Sequence, residues 1–397
     1  MENKIFPLQI LVGGIIVLAT AIGIGRFAYT PILPIMQDFF RLSDSFVGYL
    51  ASVNFLGYLI GALIASALKW EKGIVYHLKI HLFINILSTI AMGLTDNYLW
   101  WFILRGVSGV TSGLVFVFIT SLVIDFLAKY KKLQWTGFLF SGVGLGIALS
   151  SLLVPLFDYY FQWQMIWIGL GVICLLLAVV PFAWMKEPPR ESMEMEERID
   201  FSNTKKKSHP AFRWIIASYT CVGVGYIVSG TFMVAMVQEV PSLSGFPSLS
   251  WLLVGIGALP ATLISGYVAE VKGYGITLQG LFVMQIVGIT LPLLLPNAFG
   301  ALVGSLLFGA SFMGLTAMFV AATRALLPEQ SNKGIGFLTF VFGIGQMVGP
   351  IIAGILIEYS GNYNSSIAFA TIILLLGMVL LAIANYKLKN RNTSNSA

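Results

Sequence analysis

The sequence predicts an all-α membrane protein of twelve transmembrane helices, arranged as two six-helix bundles related by internal pseudo-symmetry. Three observations carry that expectation. The 397 residues are 57% hydrophobic and 10% charged, with a mean hydropathy of +0.88, where a soluble domain carries about 25% charged residues. Apolar runs of roughly 17–25 residues, long enough to span a bilayer, recur along the whole chain. The second half also repeats the glycines of the first about 200 residues on, as in transporters built from repeated half-chains. Gly23-Ile24-Gly25 returns as Gly223-Val224-Gly225, Gly57 as Gly257, Lys72-Gly73 as Lys272-Gly273, and Gly109 as Gly309. With the offset slipped by one, Gly137-Phe138-Leu139 with Gly144 and Gly146 returns as Gly336-Phe337-Leu338 with Gly343 and Gly345.

In chain order, the first helix is placed at 8–38. Lys4, an apolar run and Ala19-Thr20-Ala21 imitate a cleavable signal peptide. The apolar segment continues past Ala21, and its counterpart at 211–238 is internal, so an uncleaved helix is expected. The second and third helices follow at 44–68 and 75–95. The fourth, 98–127, holds Arg105, Gly109 and Gly113. The fifth, 135–157, holds Gly142-Val143-Gly144-Leu145-Gly146. A nucleotide-binding loop needs a strand before it and a βαβ unit around it, so these glycines are read as close helix packing. The sixth lies at 162–184. Lys186 to Pro210 is a long polar stretch with Pro188-Pro189, an acidic run and Lys205-Lys206-Lys207. The expected division is therefore an N-terminal bundle at 1–184, a linker at 185–210, and a C-terminal bundle with a short tail at 211–397. The remaining helices are placed at 211–238, 248–270, 273–295, 299–326, 334–359 and 364–386.

The basic residues order the ends. Lys4, Lys69, Lys72, Lys79, Lys129, Lys131, Lys132, the linker cluster, Lys272, Arg324, Lys333, Lys387, Lys389 and Arg391 fall on one side of that topology. The loops of the other side offer only Arg41. Positive loops stay in the cytoplasm, so both termini and the linker are expected there. The net charge of +6 is thereby a matter of topology, and no nucleic-acid partner is expected. Cys174 and Cys221 lie inside apolar stretches and imply no disulfide framework. His77, His81 and His209 lack metal-ligand spacing, and no Walker loop occurs. No metal or cofactor is expected, and the partners are the lipid bilayer and a small-molecule substrate of a monomeric protein.

Arg26 interrupts the middle of the first helix. A central arginine costs about 2.5–3.5 kcal/mol on insertion scales, so it should face a cavity or a partner. Asp38 lies about 18 Å further along the axis at 1.5 Å per residue, too far to pair, and the chain has no Asp or Glu at mid-membrane depth. Two readings stay open. A guanidinium facing a cavity suits a carboxylate, which its planar fork binds bidentately. Alternatively, Pro31 and Pro34 free the carbonyls of Phe27 and Thr30, and Arg26 satisfies those. Arg105 sits nearer the outer face, where Asp38 and Asp44 are candidate partners for an interhelical salt bridge. Asp44 also suits a cap for the second helix.

Several of these residues resemble the major facilitator superfamily, and the resemblance runs the length of the chain. Arg105, Gly109 and Gly113 match its fourth-helix pattern of an arginine followed by glycines. Gly266-Tyr267-Val268-Ala269-Glu270-Val271-Lys272-Gly273 is similar to its cytoplasmic loop signature, with Glu270 for the usual aspartate. In the first half, Ser66 to Gly73 keeps only the spacing and the final glycine, a departure that touches the gating charges there. Gly23-Ile24-Gly25-Arg26-Phe27-Ala28-Tyr29-Thr30-Pro31-Ile32-Leu33-Pro34 resembles the first helix of a largely uncharacterised bacterial branch. The resemblance implies a multi-pass protein of the bacterial inner membrane that works by alternating access. It assigns coupling or gating to Arg105, Gly109, Gly113, Glu270, Lys272 and Gly273, and Asp38, at the outer edge with Arg105, is the protonatable candidate beside them.

In the resembling family, helices one, four, seven and ten line the cavity. The expected substrate-binding set is Arg26, Tyr29, Asn54, Thr111, Tyr226, Thr231 and Gln346, with Ser229, Ser311 and Thr316 as further polar positions. Each except Arg26 has a second reading as a polar bridge between helices. The expected function is secondary active transport of a small organic solute, anionic or neutral, coupled to a proton or cation gradient. Export of amphipathic drugs or metabolites is the competing transport reading, and a transport-inactive sensor or scaffold the reading from another class. An enzyme is disfavoured, because no acid, histidine or nucleophile constellation sits centrally.

Overall fold

The computed structural model describes residues 7–67, 73–185, 211–327 and 331–395. Within them lie twelve helices long and apolar enough to cross a membrane. These are α1 (Pro7–Phe40), α2 (Asp44–Ala67), α3 (Ile74–Met92), α4 (Tyr98–Lys129), α5 (Thr136–Tyr160), α6 (Trp163–Trp184), α7 (Phe212–Gln238), α8 (Ser248–Lys272), α9 (Tyr274–Leu294), α10 (Ala298–Leu326), α11 (Gly334–Ser360) and α12 (Asn364–Leu388). Each overlaps its expected span, and α1 runs on through Ala19–Ala21. Beyond Met185, the expected linker lies outside the described residues, as does the centre of the Ser66–Gly73 motif.

The glycine repeat is a packing repeat. Within the first half, α2 packs along α4, and a Cβ built on Gly57 or Gly109 would collide with backbone of the facing helix. In the second half, α8 packs along α10 in the same way at Gly257 and Gly309. A stripe without side chains lets backbones approach closely, which drives association where lipid gives no hydrophobic advantage. The slipped offset has a physical counterpart too. Gly23 of α1 lies against Gly146 of α5, and Gly223 of α7 against Gly345 of α11. Between the halves, α2 packs on α11, α5 on α8, and the last part of α1 on α7.

Gly273 turns the chain between α8 and α9 with φ at +80°, in the region that favours glycine. No other described residue comes within 4 Å of its Cβ position, so Gly273→Ala tests the backbone. With ψ at 157° it should cost about 1–3 kcal/mol, read as a drop of a few degrees in the melting temperature of the purified protein.

Candidate functional site

The first helix is regular only to Leu18. Ala19–Ile24 forms a π-helical turn, with Gly25 N donating to the Thr20 carbonyl and Phe27 N to that of Ile22. Such bulges often mark functional positions, since the widened turn releases carbonyls and redirects side chains. The released groups here are the Gly25 and Arg26 carbonyls. Thr30 N donates to the Phe27 carbonyl at 3.2 Å, so of the two proline-freed acceptors expected from the sequence, that of Phe27 is already filled. The arginine that satisfies the broken turn is Arg105 of α4, which donates through Nη1 to the Gly25 carbonyl and through Nη2 to that of Arg26. Ser108 adds a bond to the Gly25 carbonyl at 3.1 Å, and the Tyr29 ring lies 4.6 Å beneath the Arg105 guanidinium. The expected salt bridge from Arg105 to Asp38 or Asp44 is therefore corrected: its partners are carbonyls and a ring.

With those carbonyls taken, Arg26 turns elsewhere. Its guanidinium carbon stands 4.1 Å from the centroid of Tyr58 and 4.5 Å from that of Phe55, both on α2, with the Phe27 ring at 5.4 Å. It also shares a hydrogen bond with the Tyr58 side chain and faces Tyr226 of α7 electrostatically. The residue is 4% exposed, yet Nε and Nη2 have no hydrogen-bond partner among the described residues. These two nitrogens share one edge of the guanidinium, the edge that takes a carboxylate side-on. A desolvated cation–π contact contributes about 2 kcal/mol, so two of them offset the roughly 2.5–3.5 kcal/mol of central burial. The cation is thereby tolerated while Nε and Nη2 stay unspent.

Across the interface, the second half presents a polar pair set in rings. Gln346 Nε2 donates to the Tyr226 hydroxyl, which leaves Gln346 Oε1 buried without a donor. Tyr226 is stacked between Phe312 and Phe342, the ring planes parallel within 5°. The arrangement opposes an unpaired cationic donor edge on one half to an unpaired acceptor and aromatic surface on the other. Such a site suits an anion with an apolar or hydroxyl-bearing body.

A second polar cluster closes the end of the bundle remote from the chain termini. Gln238 donates to Asp38 at 3.2 Å and Gln37 to Asp44 at 2.9 Å. Ser43, not Asp44, caps α2 through the Phe46 N–H. Ser45 N donates to Glu358 of α11 at 3.1 Å, and deeper in, Thr30 bonds the Gly230 carbonyl at 2.6 Å. A recess of about 450 Å³ opens here among Gln37, Asp38, Arg41, Gln238, Glu239 and Tyr363. At the terminus-bearing end, Thr262 of α8 bonds the Gly137 carbonyl of α5 at 2.8 Å.

Residues 18–382 match the family described as "Uncharacterised MFS-type transporter YbfB". The chain belongs to that family. Among curated relatives, the transporter is 23% identical to the hexuronate transporter of Bacillus subtilis (strain 168) over 372 residues, 87% of each chain. It is 23% identical to the benzoate transport protein of Acinetobacter baylyi over 420 residues, covering 94% of this chain and 89% of that one. A crystal structure of the nucleoside transporter NupG superposes with a TM-score of 0.75 at 13% identity, covering 96% of this chain and 99% of the other. The fold is that of the major facilitator transporters.

Of the residues expected to bind substrate, the structure gathers Arg26, Tyr226 and Gln346. The rest spend their donors within the protein, though Asn54 Oδ1 stays buried without a partner among the described residues. Tyr29 donates to the Val47 carbonyl and Asn54 to that of Arg105, while Thr231 bonds the Ile227 carbonyl of its own helix. Thr111 accepts from Asn85 and donates to the Val107 carbonyl. Ser311 and Thr316 likewise bond backward along α10. Gly109 and Gly113 hold α4 against α2. Glu270 and Lys272 are exposed beside Gly273, and neither makes a hydrogen bond or ion pair among the described residues. Sequence reasoning missed Asn85, which grips Ser108 and Thr111 of α4, and its counterpart Gln285, which accepts from Ser311 of α10. The offset of 200 that relates the glycines also relates these two amides, and that was the available signal.

Proposed function

We propose that the transporter moves a small organic anion by alternating access, with the substrate carboxylate held side-on by Nε and Nη2 of Arg26. The observation that carries this reading is that buried, unpartnered donor edge, placed where the two halves meet and opposite Tyr226 and Gln346. Hexuronate and benzoate, the cargoes named for two relatives, share little except a carboxylate. The halves 1–184 and 211–397 would rock about this layer, with both termini in the cytoplasm of a bacterial cell and the Asp38 mouth on the far side. A thermal-shift and proteoliposome-uptake panel tests the reading. Benzoate and glucuronate should stabilise or enter, and their methyl esters should not. Equal responses to acid and ester would remove the carboxylate from the account.

We place ion coupling at the far mouth, where Asp38 has Glu239 for a neighbour. Burial and the Asp44 carboxylate raise the Glu239 carboxyl above its ordinary value. The groups around it are Asp38 on α1, Arg41 just past its end, Asp44 on α2, Glu358 on α11, and Tyr363. A raised acid favours the closed mouth fully below the ordinary glutamate value and loses that contribution as pH rises through the raised one. Spin-label distances across the mouth should therefore shift toward the open form from acidic to neutral pH, and Glu239→Gln should flatten that dependence. Asp38→Asn should abolish uptake driven by a pH gradient yet spare counterflow. Loss of both fluxes would mark Asp38 as structural.

A further inference from the structure

We propose that Phe55 and Tyr58 stand in for the anion's charge whenever Arg26 has no cargo, so that the halves close over the unloaded site and the protein performs net transport rather than obligatory exchange. This rests on the reading that Arg26 binds the carboxylate. Net transport by alternating access requires two closures per cycle, one loaded and one unloaded. The loaded closure buries a guanidinium with a carboxylate, a pair without net charge. The unloaded closure buries a lone cation, and burying an ion without a compensating partner is costly. A carrier with nothing to face that cation would close only when loaded, and would then swap one anion for another.

The groups facing Arg26 in the closed interface meet that need without a carboxylate. Its guanidinium lies over the Tyr58 and Phe55 ring faces at 4.1 and 4.5 Å, and ring faces carry the negative part of the aromatic quadrupole. The rings do not compete with cargo, because Nε and Nη2 keep their hydrogens unspent. Phe55 and Tyr58 are one turn apart on α2, in the same half as Arg26, so they travel with it when the halves part. Arg105 also lies over a ring, that of Tyr29, but spends Nη1 and Nη2 on the Gly25 and Arg26 carbonyls. Only its Nε is left, so it has no two-pronged edge for a substrate.

The test compares two fluxes and one population. Phe55→Leu and Tyr58→Leu, singly and together, keep an apolar side chain and delete the ring face, whereas Tyr58→Phe keeps the face. With radiolabelled benzoate and glucuronate as probes in proteoliposomes, the double variant should retain counterflow within about twofold and lose net uptake by about tenfold or more, the scale of desolvated cation–π contacts. Tyr58→Phe should keep both fluxes. Equal loss of the two fluxes, or unchanged net uptake, overturns the proposal. A cargo-independent arm places spin labels at Asp96→Cys and Pro296→Cys, both exposed between helices at the far end. In carboxylate-free buffer the Phe55/Tyr58 double variant should lose most of its closed population. In an Arg26→Leu background the same substitutions should change nothing; if they act equally there, the rings are packing alone and the proposal fails. Counterflow insensitive to Arg26→Leu would instead sink the carboxylate reading, with the label result still deciding the role of the rings.

Discussion

Replacing Arg26 with alanine should lower kcat/KM for a transported carboxylate by about 100-fold or more, the scale of two charge-assisted hydrogen bonds lost together. Arg26→Lys should recover little of it. Lysine keeps the charge as a compact point and lacks the two-pronged edge that matches a carboxylate. The loss should fall on anion affinity, read as a raised KM and a missing thermal shift with benzoate or glucuronate. Expression and the melting temperature without cargo should hold or rise in the alanine variant, because Arg26 is a tolerated liability between Phe55 and Tyr58 and not a structural tie. Arg105→Ala should behave oppositely: it strips the Arg26 carbonyl of its donor and leaves the Gly25 carbonyl only Ser108, and should destabilise the fold whether or not an anion is present. Wild-type KM in Arg26→Ala, at normal expression, would end the assignment.

Gly109→Val should largely abolish folded protein. A Cβ there meets the Asn54 carbonyl on α2, and one at Gly113 meets the Tyr58 carbonyl. Neither neighbour is a side chain that can change rotamer, so the helices must separate. Overpacking of a tight interior costs about 1–3 kcal/mol even where rotamers can yield; here the Asn54-to-Arg105 bond and the Tyr58 face offered to Arg26 shift with α2. Gly309→Val, against the Val254 carbonyl, should be as damaging in the second half. Gly266→Ala and Gly280→Ala, with no described residue within 4 Å of the added atom, are the controls. Detergent-extracted yield and size-exclusion profiles separate the outcomes, and a monodisperse Gly109→Val protein with wild-type melting would refute the backbone-contact account.

How much of this was legible in the sequence depends on which force set each feature. Length and hydropathy set the spans, so every helix was readable, and the repeated glycines marked close packing without naming the helix that each one meets. The slip of one residue between helices five and eleven even matched the Gly23–Gly146 and Gly223–Gly345 contacts. Arg26 announced itself by breaking an apolar run. Its surroundings did not, because a π-helical turn leaves no periodic signature, and the turn decides which carbonyls are free and hence which arginine they capture. The hydroxyl list misled for a related reason. In an apolar helix, threonine and serine satisfy themselves on the carbonyl four residues back, as Thr231 and Thr316 do, so a hydroxyl on a cavity-lining helix is weak evidence for a cavity.

Thr30 bonds to Gly230, and Gln238 to Asp38, partners separated by 200 positions in each case. Residues that meet their own repeat counterparts lie on the pseudo-twofold axis. Two identical six-helix units assembled as a dimer would set like against like along that line: aspartate against aspartate, and at the layer below, guanidinium against guanidinium. Joining the units into one chain lifts that constraint, since each copy can then change alone. Tyr226 opposite Arg26, and Gln238 opposite Asp38, are pairings that no symmetric ancestor with one residue per position has access to. A single polypeptide lets the axis hold one positive charge, and with it a polarity that a symmetric pair cannot have.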